Sequence, residues 1–463
     1  PYTQPFALSV AKRSRRAPSP KSRDTVTIDP NPESSPHMSH LTGLSCIRCN
    51  ASFGIEPRFD GCPECRREAP ANLTPRYDLD AAAGDFSIDS LRERPPGMRR
   101  YRELLPPDVQ DAATLGEGET PLLHCERYGR RLGLDRLYLK DESQNPSGSF
   151  KDRLAFAAMA MTKRFDARAV GVSSTGNAGA AAAAYAARAG LPCIVLTVRG
   201  AASAIVTQMQ AYGAMVVATR TKAHRWKLLQ TGVAEWGWYP TSPYFGPPVG
   251  SNPYGVDGYK TLAYEVCEQM DWEPPDWCVL PVAYGDALFG MWKGFDELAR
   301  LGLIRKQPRM VAAEMAGCLA AALASGEDAL PEIPAPTPYV AGSISVNQST
   351  YQALHTLRAS DGTAVVARNE ELLGLQRVLA ADEGIYAEPS SLAALAAVGR
   401  LCDEGRVGPT DTVVVVNTAS GLKDTVATAT AAPEIPTVDG DIAQFLVTLR
   451  DAYGYRAEAH RPS

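Results

Sequence analysis

Between about residues 110 and 430 the chain alternates short β-branched or apolar runs with longer alanine-rich stretches, and this alternation restricts the fold more than any other feature. Residues 136–140, 169–173, 193–197, 215–219, 277–282, 309–313 and 412–417 read as strands. Residues 155–162, 176–189, 205–212 and 258–270 read as helices between them. Such alternation builds open, largely parallel sheets covered by helices. Ligands in such folds bind at the carboxyl ends of the strands, where loops meet helix N-termini.

With 463 residues, the chain has room for two to four domains and a large core. Hydrophobic residues make up 45% and charged residues 21%, the balance of a folded enzyme. The net charge of -5 argues against a globally basic nucleic-acid binder. No apolar run approaches the roughly 18 residues of a membrane span. Of ten cysteines, Cys125, Cys193, Cys267, Cys278, Cys318 and Cys402 are scattered singly. That spacing is not a secreted disulfide framework, and these six read as small buried hydrophobes in a reducing compartment.

Residues 1–44 are expected to be a disordered basic tail, rich in Pro, Ser, Lys and Arg and without apolar periodicity. A mitochondrial presequence is one reading, weakened by prolines 18, 20, 30, 32 and 36; an extension upstream of Met38 is the other. Residues 45–80 hold two C-x-x-C pairs, Cys46 with Cys49 and Cys62 with Cys65, twelve residues apart. Two such pairs present four thiolates to one tetrahedral zinc, so a structural zinc ribbon is expected. Free thiols or disulfides are the alternative. His37 and His40 are taken as bystanders. Residues 81–430 form the expected catalytic region, with about 155–260 as its smaller subdomain. Residues 431–463 read as a linker and a helix over 442–453.

Four loops at strand-to-helix transitions carry the chemistry. In Asn145-Pro146-Ser147-Gly148-Ser149-Phe150-Lys151-Asp152-Arg153, a lysine opens a helix, where the dipole disfavours a cation. A lysine with a depressed pKa suits Schiff-base chemistry; an exposed pair with Asp152 is the plainer reading. In Ser173-Ser174-Thr175-Gly176-Asn177-Ala178-Gly179, amides and hydroxyls can bind a carboxylate, or Ser174 or Thr175 simply caps the helix. Pro281-Val282-Ala283-Tyr284-Gly285-Asp286-Ala287 can wrap a phosphate with amide donors. The fourth loop is Val416-Asn417-Thr418-Ala419-Ser420-Gly421.

Together these loops resemble those of the threonine synthase-like enzymes of pyridoxal-phosphate (PLP) fold type II. So do the segments Gly116-Glu117-Gly118-Glu119-Thr120-Pro121, Asn252-Pro253-Tyr254, Gly258-Tyr259-Lys260-Thr261 and Glu383-Gly384-Ile385-Tyr386-Ala387-Glu388-Pro389-Ser390. The likeness covers about residues 45 to 428. It implies an α/β fold with two open, mostly parallel sheets flanked by helices, plus the N-terminal zinc ribbon. It implies PLP and structural zinc as cofactors. Lys151 matches the PLP-binding lysine, and Asn177 the asparagine that contacts the ring hydroxyl. Ser174, Thr175 and Gly176 match the substrate-carboxylate loop. Ala283, Tyr284, Gly285, Asp286 and Ala287 match the cofactor-phosphate loop. Thr418 matches the neutral hydroxyl facing the pyridine nitrogen.

The family pattern places an arginine in Asn-Pro-x-Arg-x-Glu-Gly to grip a substrate phosphate; Gly255 stands there in this chain. Val249-Gly250 and Ala178-Gly179 stand where Asn-Ser and Thr-Ser are usual. Charged hydrogen bonds contribute roughly 1.5–3 kcal/mol each, so weaker phosphate recognition is expected. Lys222, Arg225 and Lys227 are candidate replacements. The expected activity is that of a PLP-dependent lyase acting on a small L-amino acid by β- or γ-elimination or replacement, with Lys151 as general base. Threonine synthase is the nearest named activity, and a serine/threonine dehydratase-like enzyme the first alternative. A catalytically silent PLP-binding or zinc-ribbon interaction protein is the second. A cytoplasmic homodimer is expected by analogy, with a small amino-acid partner and neither nucleic acid nor membrane; organellar targeting by the tail is not favoured.

Overall fold

Among the described residues three sheets account for the strands. The computed structural model describes residues 39–201 and 203–456, so residues 1–38 of the expected tail lie outside the described residues. The tail's expected boundary needs correction: β1 (Leu41–Cys46) starts before residue 45 and pairs antiparallel with β2 (Ser52–Phe53) and β3 (Leu73–Tyr77).

The largest sheet has six strands. Its strands are β4 (Leu122–His124), β5 (Arg136–Asp141), β10 (Trp277–Pro281), β11 (Arg309–Glu314), β12 (Thr363–Val366) and β13 (Thr412–Asn417). They run in the order β12-β11-β10-β13-β5-β4, and only β4 is antiparallel to its neighbour. A four-stranded parallel sheet holds β6 (Ala169–Ser173), β7 (Cys193–Val198), β8 (Met215–Thr219) and β9 (Trp238–Pro240), in the order β8-β7-β6-β9. β10 and β13 are buried throughout, as parallel strands covered on both faces must be.

The short strands β4, β9 and β12 lack a β-branched run long enough to announce them. The helix expected over 258–270 is really a 3₁₀ turn, Asp257–Lys260, followed by an α-helix, Thr261–Gln269. Five of the six scattered cysteines are buried and Cys402 is half-buried.

Two buried charge clusters tie these layers together. The guanidinium of Arg153 is fully buried between Glu142 and Glu265. It donates to Glu142 at 2.7 and 2.8 Å, to Glu265 at 2.6 and 2.7 Å, and to the Thr261 hydroxyl at 2.8 Å. Lys140 on β5 adds a 2.8 Å contact to Glu265. Burial opposes ionisation of Glu265, but Arg153 and Lys140 overcome it and hold the carboxyl down to about 2. In the second cluster Asp257 accepts from Tyr77 of β3 at 2.6 Å and pairs with Lys260 and Lys293. Lys293 also donates to the Pro75 carbonyl at 2.6 Å, so the N-terminal sheet is fastened to the body of the protein.

Removing one member of a buried, saturated pair leaves its partners charged and unpaired, at a cost of about 3–5 kcal/mol. Arg153→Leu is expected to lower unfolding free energy by about that amount in urea titration; a loss under about 1 kcal/mol would show that the cluster is not a main fastening.

Candidate active site

β5, β6, β10 and β13 end around a cavity of about 730 Å³, and each runs into a loop that lines or supports it. The lining includes Lys151, Ser174, Thr175, Gly176, Asn177, Ala283, Tyr284, Gly285, Asp286, Ala287 and Thr418. Every residue expected at the PLP and substrate sites is therefore brought to one place.

Lys151 is the first residue of α1 (Lys151–Ala160). Its Nζ lies 4.3 Å from the Phe150 ring centre and 5.5 Å from that of Tyr259. Burial lowers its pKa, while Asp286 and Glu388 pull the other way. The simple pairing with Asp152 is not what forms. Asp152 turns back to accept from the Ser147 amide at 2.6 Å and from the Ser147 hydroxyl, and burial pushes its pKa up to about 7. Among the described residues no hydrogen bond or ion pair engages the Lys151 amine. The backbone on either side is fixed: the Phe150 amide donates to the Thr418 carbonyl at 2.9 Å, and Asn417 donates to Asp141 across β13 and β5 at 2.7 Å.

The loop after β10 turns at Gly285, whose φ is +75°. A Cβ there would lie 2.4 Å from the Ala353 Cβ, so glycine is required by both the turn and the close approach. The turn opens α2 (Asp286–Arg300). Among the described residues the amides of Ala283 to Ala287 have no intramolecular acceptor. Five consecutive free amides at the start of a long helix make a seat for an oxyanion. Asp286 does not spoil it, because its carboxylate is occupied elsewhere, accepting from the Ser251 amide at 3.0 Å, the Ser251 hydroxyl at 2.6 Å and Gln352 at 2.6 Å.

After β6, the Ser174 hydroxyl accepts from the amides of Gly176 and Gly179, both at 3.1 Å, and so shapes the turn into the helix Asn177–Ala189. Neither Ser174 nor Thr175 is the N-cap; Gly176 is. Asn177 donates to Glu388 at 2.9 Å, and its Oδ1 is buried with no partner. Glu388 also accepts from Ser343 at 2.7 Å, and burial raises its pKa. In the sequence Glu388 stands out only as part of the segment 383–390; its contact with Asn177 spans 211 positions and has no local signal. Thr418 shares a 2.8 Å hydrogen bond with Ser391, and both are buried.

Gly255 does not line the cavity: a Cβ there would lie 3.0 Å from Leu154 and 3.2 Å from Ala158, so it packs against α1. Of the three candidate cations, Lys222 and Arg225 line the cavity, and Lys227 does not.

The four thiols of Cys46, Cys49, Cys62 and Cys65 lie within 4.8 Å of one another, and His40 is not among them. Cys46 and Cys65 are 3.8 Å apart and Cys49 and Cys62 3.7 Å, so none is a disulfide. His37 lies outside the described residues. Gly61, at φ +81°, brings the second pair close; a Cβ there would lie 2.6 Å from the Ala71 carbonyl. The cluster's sheet reaches the cavity through Asn72, which donates to the Ser251 carbonyl at 3.1 Å and to Gln352 at 3.2 Å, the residues that hold Asp286.

Comparison with known proteins agrees with this geometry. The family "pyridoxal-phosphate dependent enzyme" matches residues 113–419. The threonine synthase of Methanocaldococcus jannaschii is 32% identical over 402 residues, 86% of this chain and 96% of that protein. That of Methanosarcina acetivorans is 33% identical over 404 residues, again 86% and 96%. The processed form of threonine deaminase isoform 2 from Solanum lycopersicum shares the fold with a TM-score of 0.58 at 18% identity, covering 70% of this chain and 90% of that one. The chain belongs to the pyridoxal-phosphate-dependent enzymes of fold type II, in their threonine synthase-like group.

The residues present fit that cofactor: an unengaged buried amine, a run of free amides for its phosphate, and an orphaned Asn177 oxygen for its ring hydroxyl. Asn72→Ala removes two hydrogen bonds, at about 1 kcal/mol each, from the group that braces the amide loop. It is expected to weaken PLP binding about tenfold in a fluorescence titration; unchanged affinity would separate the N-terminal sheet from the cavity.

Proposed function

We propose that this PLP-dependent lyase acts on a small L-amino acid by β- or γ-elimination or replacement, with threonine synthase the nearest named activity. The observation that carries the reading is the unengaged amine of Lys151 in the same cavity as the free amides of Ala283 to Ala287. PLP, when bound, supplies an electron sink for negative charge at the substrate's α-carbon.

The protein's own groups do the rest. Lys151 is the proposed covalent anchor of the cofactor; its lowered pKa favours the neutral amine, which then takes the α-proton. The amides of Ala283, Tyr284, Gly285, Asp286 and Ala287 are the proposed seat of the cofactor phosphate. Asn177, held by Glu388, is assigned to the ring hydroxyl. The turn Ser174-Thr175-Gly176 is assigned to the substrate carboxylate. Thr418, oriented by Ser391, is the proposed partner of the ring nitrogen. A hydroxyl there does not enforce protonation as a carboxylate would, which suits elimination and replacement better than transamination.

Cys46, Cys49, Cys62 and Cys65 are proposed to hold a structural zinc. Sulfurs about 2.3 Å from a tetrahedral zinc sit about 3.8 Å apart, which agrees with the two spacings given above. With sulfur at all four positions the ion would have no open site for substrate.

The PLP-loaded protein is expected to be yellow, and Lys151→Ala to lose the lysine-linked absorbance and all turnover. The deciding assay gives O-phosphohomoserine, threonine and serine to the loaded protein and measures phosphate, threonine, ammonia and 2-oxo acid. No product from any of them, in a yellow protein, would overturn this reading. Metal analysis is expected to find one zinc per chain in the wild type and none in Cys62→Ser; a zinc-free, folded wild type would remove the metal assignment.

A further inference from the structure

A buried cation behind the site has no task in the chemistry above. Lys423 ends the short turn Gly421–Lys423 that follows β13; it is buried and does not line the cavity. Among the described residues it forms no ion pair. Its ammonium donates instead to two neutral oxygens: the Ser147 carbonyl and, at 2.5 Å, Oε1 of Gln208 on the helix Ser203–Ala211. Gln208 in turn donates to the same Ser147 carbonyl at 3.0 Å. Three segments far apart in the chain therefore meet at one carbonyl. A Cβ at Gly148 would lie 3.0 Å from Cε of Lys423, so the lysine stem lies against the turn that leads into Lys151.

Every polar group of Ser147 is engaged. Its carbonyl accepts from Lys423 and Gln208, while its amide and hydroxyl donate to Asp152, the residue after Lys151. The same stretch is paired with the loop that carries Lys423: Ser149 bridges Ala419, and the Ser420 amide donates to the Gly148 carbonyl at 3.2 Å. The ammonium also acts at a distance, favouring the ionised form of the buried carboxyls of Asp152 and Glu388. The first of these holds Ser147 and the second holds Asn177. A compact ammonium on carbonyl oxygens does there what a monovalent cation does. Resting on the reading of Lys151 as the cofactor's anchor, we infer that Lys423 is a positioning residue, a built-in monovalent cation that fixes the turn 145–151 and so the approach of the Lys151 amine. Without its side chain, two oxygens would face a space that a free ammonium ion can refill.

The test follows the rate at which PLP, added to the full chain, gives the lysine-linked absorbance, a step that needs the Lys151 amine in place and no substrate. Lys423→Met keeps the bulk of the stem and loses the charge; Lys423→Ala also opens the space. We expect the absorbance to form about ten- to a hundredfold more slowly in both. Ammonium chloride should restore most of the rate in Lys423→Ala and leave Lys423→Met and the wild type unchanged. Tetramethylammonium chloride at the same ionic strength, too large for the space, should restore neither. In turnover by the PLP-loaded variants, kcat should follow the same pattern with KM held within about twofold, because Lys423 lies outside the cavity lining. A wild-type rate in Lys423→Met would overturn the inference. So would a loss in Lys423→Ala that the two salts restore equally or not at all, since packing alone would give that result. If neither variant folds, Gln208→Leu decides: it takes one oxygen from the ammonium and one donor from Ser147, about a fivefold slowing is expected, and a wild-type rate sinks the inference. If no amino acid turns over in the wild type but the absorbance behaves as expected, the reaction reading fails and the role of Lys423 stands.

Discussion

The rest of the structure depends on one buried ion cluster, Arg153 held by Glu142 and Glu265 with Lys140 beside them. Two carboxylates and two cations balance, and the guanidinium's fork geometry lets it bind both acids in a bidentate manner. Charges so deeply buried are tolerable only if every one is paired. That requirement leaves little freedom in how β5, α1 and the helix Thr261–Gln269 meet. Arg153 lies two residues after Lys151, so whatever fixes Arg153 also fixes the first turn of α1, where the Lys151 amine sits. Buried electrostatics thus set the position of the amine proposed to anchor the cofactor, a role that needs an accurate position.

From this anchor the site follows by topology. Parallel strands put their carboxyl ends on one side of a sheet, and the loops leaving those ends must meet there. The amides at the start of α2 are unpaired because any helix begins with unpaired amides, and Gly285 bends the chain so that they face the cavity rather than solvent. The N-terminal sheet joins through polar contacts that converge on one segment: Asn72 on Ser251, Tyr77 on Asp257, and the Tyr254 hydroxyl on the Glu56 carbonyl at 2.9 Å. The Cys cluster is therefore a brace on the segment 251–257, and through Asp286 on the amide loop.

Much of this could be read from the chain. The parallel strands were legible because burial on both faces demands continuous runs such as Val413 to Val416. Lys151, the 174–177 turn and Thr418 were legible because each sits at a strand-to-helix junction, where local residue types carry the geometry. Long-range facts were not. The contact of Asn177 with Glu388, the docking of Asn72, and the orientation of Lys222 and Arg225 depend on which helix face meets which sheet end, and no spacing encodes that. The packing of Gly255 has the same character: the close approach of the short helix Pro253–Val256 to Leu154 and Ala158 leaves no local trace in the sequence.

The disposition of charge around the cavity completes the picture. Two of the three carboxylates that line the cavity are held by neutral donors: Asp286 by a serine and a glutamine, Glu388 by an asparagine and a serine, while Glu332 acts on Lys222. Among the described residues Lys151, Lys222 and Arg225 form no ion pair, although the charges of Asp286 and Glu388 act on Lys151 and that of Glu332 on Lys222. A lysine amine in such surroundings is driven toward its neutral form by burial, whereas a guanidinium stays charged under the same burial. The same burial therefore acts differently on the two kinds of cation that line the cavity, loosening the proton of Lys151 while leaving the charge of Arg225 in place.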